Sequence, residues 1–86
     1  MYILSKNGKK FVNFNNVASI SIRKEYMQYH DTWWEIVVMY PAVSTDILYD
    51  VIGEFKTEEK CKDAFNKLCC RIVSGSENEV IDMNDL

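Results

Sequence analysis

Between Thr57 and Ser74 the apolar residues Cys61, Ala64, Phe65, Leu68 and Ile72 recur at the period of one α-helix face. A helix of that length, roughly 27 Å at 1.5 Å per residue, covers one face of a small β-sheet and no more. Thr57 supplies an N-cap hydroxyl, Glu58 and Glu59 match the positive end of the helix dipole, and Gly75 suits a left-handed C-terminal cap. Lys60 stands where a capping box would place Glu or Gln, so the box itself is absent.

The chain before Thr57 reads as strands. YILS and FVNF flank KNGKK, in which Asn7 and Gly8 supply the positive φ angles of a tight hairpin turn, and Asn15 and Asn16 mark the next turn. From Val17 to Tyr26, Ala18, Ile20 and Ile22 alternate with Ser19, Ser21 and Arg23, giving one buried face and one wet face. Met27 to Asp31 has loop character. Thr32 to Tyr40 is a strand rich in β-branched and aromatic residues, ended by Pro41, and a loop through Ser44, Thr45 and Asp46 leads to a fourth long strand, Ile47 to Phe55. Connections this short imply antiparallel neighbours, since parallel pairing needs long crossovers. The expectation is a single α+β domain over residues 1–75: a four- or five-stranded twisted antiparallel sheet, partly closed in the manner of a pleckstrin-homology domain, packed by one C-terminal helix. Residues 76–86 form an acidic C-terminal tail or add a short edge strand near Val80 to Met83.

The two central strands conflict with a single covering helix. In Thr32 to Tyr40, Trp34, Ile36, Val38 and Tyr40 share one side, while Trp33, Val37 and Met39 share the other with Glu35 among them. In the fourth strand, strict alternation groups Tyr49, Val51, Gly53 and Phe55 against Leu48, Asp50, Ile52 and Glu54, with Gly53 allowing close approach of the helix. Trp33, Val37, Met39, Leu48 and Ile52 are therefore candidates for a second buried surface. Three covers are available to it: closure of the sheet on itself, a second copy of the chain, or another protein; closure or self-association is expected ahead of a foreign partner, and the partner expected is a sheet-face or edge-strand homodimer.

Tyr26, Tyr29, His30, Trp33 and Trp34 concentrate large, partly polar side chains at one hairpin end, a composition enriched in protein interfaces and also used to stack nucleotides. Tyr29, His30 and Trp33 join the candidate partner-binding set, with Trp34 assigned to the core. Catalytic constellations are not expected. His30 and Asp31 are adjacent, which on a strand puts them on opposite faces, and one histidine makes a poor metal site. Cys61, Cys69 and Cys70 show no metal-ligand spacing: Cys61 lies in the helical stripe, Cys69 at its margin and Cys70 on the far side. The dispersed Gly8, Gly53 and Gly75 make no phosphate loop.

A chain that is 48% hydrophobic and 27% charged is globular in type. Its net charge of −3 is uneven, with five basic and three acidic side chains in residues 1–45 but five basic and ten acidic in residues 46–86. That acid excess argues against nucleic-acid binding, despite Lys6, Lys9, Lys10, Arg23 and Lys24. The opening MYILSKNGKK has no signal-peptide core and the longest apolar run is far short of a membrane span, so no membrane role and a cytoplasmic setting are expected.

YILSKNGKKFVNFNNVASISI and VIGEFKTEEKCKDAFNKL together resemble short uncharacterised proteins of Firmicutes and of their phages or mobile elements. Those chains open with an aromatic-Ile-Leu strand and a Gly-containing turn, and close with a Gly-Glu-aromatic strand running into a Thr-Glu-Glu helix. The resemblance implies an antiparallel meander plus helix and a bacterial or phage setting, with no catalytic residue and no cofactor to carry over. The function expected from these readings is non-enzymatic protein binding, as an accessory or inhibitor protein. The alternative is a nucleotide or small-ligand sponge with an aromatic pocket.

Overall fold

The computed structural model describes the backbone of residues 1–27, 30–41 and 48–86, and the side chains of all of these except Met27, His30 and Asp31. The architecture is α+β. Strands β1 (Tyr2–Leu4), β2 (Phe11–Asn13), β3 (Ser19–Met27), β4 (His30–Met39) and β5 (Tyr49–Phe55) precede helix α1 (Glu58–Ser74), and β6 (Val80–Asp82) follows it. The expected single sheet is instead two three-stranded sheets, in the orders β2-β1-β6 and β3-β4-β5, and they do not join into a closed barrel.

The division begins after β2. Asn13 accepts a hydrogen bond from the Asn15 amide at 3.0 Å and caps a 3-10 turn over Phe14–Asn16, which carries the chain out of the small sheet before β3 starts. The vacant side of β1 is then taken by β6, which runs parallel to it with Ile3 opposite Ile81. Parallel pairing is possible because the rest of the chain, helix included, lies between the two strands. The tail is thus an edge strand rather than a solvated end: Ile81 and Met83 are buried despite four acidic neighbours in the segment.

At the β1–β2 turn only Gly8 has a positive φ, 74°. The expected pair of left-handed residues is replaced by a turn from Ser5 to Gly8, closed by Gly8 N–H to the Ser5 carbonyl at 2.9 Å. Asn7 Oδ1 accepts from Ser5 Oγ and from the Lys9 amide, which satisfies the buried Ser5 hydroxyl.

In the larger sheet β3 and β4 pair from Ser19↔Met39 to Met27↔His30, so most of the expected Met27–Asp31 loop is strand, and Gln28 and Tyr29 lie outside the described residues. The loop expected at Ser44 to Asp46 is also outside them. Between β4 and β5 the register shifts: Ile36 faces Gly53, but Val37 faces Val51. Ile52 is the extra residue of a β-bulge, and it breaks the alternation the sequence implied. Beyond the bulge Gly53 and Phe55 share the face of Ile36 and Trp34; before it, Tyr49 and Val51 share the opposite face, with Met39 and Val37.

Helix α1 packs on the inner face of the larger sheet. Cys61, Ala64 and Leu68 meet Ile36, Val38 and Ile52, and the small sheet closes the same core with Ile3, Val12 and Ile81. Each such fully buried aliphatic side chain contributes about 2 kcal/mol of transfer free energy. Thr57 Oγ1 accepts from the Lys60 amide at 3.2 Å, as an N-cap should. Gly75 at the other end is not left-handed, with φ −83°. Glycine is needed there for space, because a Cβ would sit 2.7 Å from the Arg71 carbonyl oxygen and against Met1 and Glu79. The two sheets are tied at the bulge, where the Ile52 carbonyl accepts from the Lys6 amide at 2.8 Å.

Candidate partner-binding face

The outer face of the β3-β4-β5 sheet, opposite the helix, is a ladder of rungs. Arg23, Glu35 and Glu54 stand side by side in one rung, Ser21, Val37 and Val51 in the next, and Ser19, Met39 and Tyr49 in the last. Trp33 stands opposite Glu25 at the other end. Among the described residues no helix lies on this side, yet Val37 is only 3% exposed.

Among the described residues, the side chains around Val37 belong to the sheet itself. Glu35, 5% exposed, spreads one carboxylate between two neighbours. Its Oε1 accepts from Arg23 Nη2 at 2.9 Å and Nε at 3.3 Å, and its Oε2 accepts from the Trp33 indole N–H at 3.1 Å. Arg23 also pairs with Glu25 at 2.6 Å and lays its guanidinium over the Tyr49 ring, 4.5 Å from the centroid. Its stem and the Tyr49 ring therefore span the sheet above Val37, the behaviour of a long side chain that buries its methylenes and keeps its charge in water. The Glu35 carboxylate first, and Tyr49 second, raise the Arg23 pKa further above its already high ordinary value. Among the described residues no buried side-chain nitrogen or oxygen lacks a hydrogen-bond partner.

Between these side chains a depression of about 390 Å³ remains, lined by Ser21, Arg23, Val37, Met39 and Tyr49. Trp33, Val37 and Met39 thus reach the face expected of them. Leu48 and Ile52 do not, because the bulge reverses the phase of β5: Ile52 is in the helix-side core, and Leu48 lies on that side at the exposed start of the strand, its carbonyl bonded to the Tyr40 amide. Tyr49 and Val51 take their places. Tyr29 and the side chain of His30 lie outside the described residues. Glu35, which holds the Trp33 indole, and Arg23, which holds Glu35, were not among the expected site residues; their position opposite each other on adjacent strands, on the face of Trp33, is the signal that marks them.

The inner face carries one polar pair at its end. Tyr40 donates its hydroxyl to Asp50 at 2.7 Å, and Lys10 lies 3.5 Å from the same carboxylate. Burial, then the bond to Asp50, pushes the Tyr40 pKa from the usual 10 to about 12. A second exposed apolar surface occurs on the small sheet, where Tyr2 and Phe11 stack with centroids 5.0 Å apart beside Leu4 and Val80. The expected thiol placement is found: Cys61 buried, Cys69 half-buried, Cys70 exposed. Among the described residues no cluster of three or more His, Cys, Asp or Glu is placed to hold a metal ion, and no helix is long and apolar enough to cross a membrane. No family model, curated protein or solved structure matches the chain.

Proposed function

We propose that this is a non-enzymatic protein-binding domain whose docking face is the outer side of the β3-β4-β5 sheet. The observation that carries the reading is the depression floored by Val37 and framed by Arg23, Met39 and Tyr49, with Trp33 on the same face. Tryptophan, tyrosine, arginine and methionine are the side chains enriched where proteins bind proteins, and here the arginine and tryptophan are already held by hydrogen bonds. A preorganised surface loses less side-chain entropy on docking. The likeness of Tyr2–Ile22 and Val51–Leu68 to short Firmicutes and phage proteins supports a bacterial or phage-infected cytoplasm as the setting, with an accessory or inhibitory role.

The nucleotide-sponge alternative is less favoured, since the Trp33 indole N–H is committed to Glu35 and, among the described strand residues of this face, phosphates would meet Glu25, Glu35 and Glu54 with Arg23 alone to offset them. A homodimer through this face would bring the same acidic rungs together, so a different protein is the better occupant. A photo-crosslinking side chain placed at Met39 in producing cells should give a discrete adduct, and one placed at Asn66 on the exposed side of the helix should give none. Adducts at Asn66 alone would refute the assignment.

A further inference from the structure

Resting on that docking reading, we infer that the partner is a protein surface presenting a lysine or arginine next to an aliphatic or aromatic side chain, the two about one rung apart. The charges of the outer face carry this. Among the described strand residues of this face one cation, Arg23, is matched against three carboxylates, Glu25, Glu35 and Glu54. Arg23 is fully used, by Glu35 and Glu25 together. Glu54 is directly opposite Glu35, and like charges facing each other across two strands are unfavourable.

Among the described residues no Lys or Arg forms an ion pair with the exposed Glu54 carboxylate. The Lys6 ammonium instead bonds the Glu54 carbonyl oxygen at 3.3 Å and lies over the Phe55 ring, 4.2 Å from its centroid, and Lys56, just beyond β5, pairs with no carboxylate among the described residues. The rung is thus short of positive charge at its β5 end. The next rung along, Val37 and Val51, is aliphatic, with Met39 and Tyr49 beyond it. Successive rungs on one face are two residues apart, about 7 Å. The complement is therefore a cation against Glu54 and an apolar side chain roughly 7 Å away in the depression, as a strand supplies from residues two apart.

Random-peptide display on the full chain, tethered through the exposed Cys70 thiol on the helix, tests this. Selected peptides should pair Lys or Arg with Leu, Ile, Met or Phe. Their affinity should fall about tenfold with Glu54→Lys and with Met39→Glu, and hold with Glu59→Lys on the helix, each variant first shown to be folded by circular dichroism. Equal losses with Glu54→Lys and Glu59→Lys would mean general attraction to acid and would overturn the inference. Peptides without a basic residue that are still lost with Met39→Glu would overturn it while leaving the docking face standing. Peptides indifferent to both outer-face changes, or lost instead with Phe11→Ala, would end both.

Discussion

Ile36 and Val37 are neighbours on β4 and point to opposite sides of the sheet, yet they are 0% and 3% exposed. Ile36 is covered by a helix and a second sheet, the usual means of burying a sheet face. Val37 is covered by an arginine stem, a tyrosine ring and a carboxylate that holds the arginine in place. The inner cover over Ile36 is an apolar cluster fixed by the chain path. The outer cover consists of polar side chains of the sheet itself, so it shields the floor while leaving charge and aromatic edges in water. A sheet with apolar residues on both faces can thus shield its second floor with side chains of its own strands.

Substitutions on the two faces should separate these modes. Ile36→Ala is expected to cost the most, about 3 to 4 kcal/mol in urea denaturation, because a helix and two sheets cannot collapse onto the cavity. Glu35→Ala on the outer face should cost roughly 2 kcal/mol, less than a fully buried ion pair, since the released Arg23 can turn to water. Replacing the pair together, Arg23→Met with Glu35→Leu, should recover most of that loss while weakening partner capture. If the double variant is as unstable as the single one, the network supports the face by more than covering it.

Gly53→Ala examines the bulge that joins the faces. A Cβ there would lie 2.9 Å from the Phe55 ring and 3.5 Å from Met83, and overpacking of this kind should cost about 1 to 2 kcal/mol. The last effect is confined to alkali. The fold raises the Tyr40 pKa from 10 to about 12, so it favours the neutral phenol; the associated stability is complete below pH 10 and is lost as pH rises toward 12. Tyr40→Phe should flatten stability across that window, and an unchanged slope would assign the loss to another group.

Much of this was legible in the sequence, for reasons that differ by element. The helix stripe, the Thr57 cap and the alternation of β3 and β4 are local patterns, and they placed Trp33, Val37 and Met39 on the outer face. The phase of β5 is not local. It depends on one extra residue, and the signal available was Gly53, since a glycine inside a strand often marks a bulge. Taken instead as a close-approach site, Gly53 left Leu48 and Ile52 on the wrong side and hid Tyr49. The acidic tail misled similarly: composition weighed four carboxylates, whereas burial was decided by Ile81 and Met83, which complete the core over β1. The cover over Val37 was hard to foresee because it is made from Arg23 and Glu35, residues that in sequence read only as wet.

Val37→Ala is the most direct test of self-covering, with stability measured by urea denaturation in the purified chain over a wide range of protein concentration. Loss of two methyl groups from a floor shielded by its own sheet should cost about 2 kcal/mol at every concentration. A cost under about 0.5 kcal/mol, as at an ordinary surface position, or one that appears only at high concentration, would show that the face is open until something else covers it.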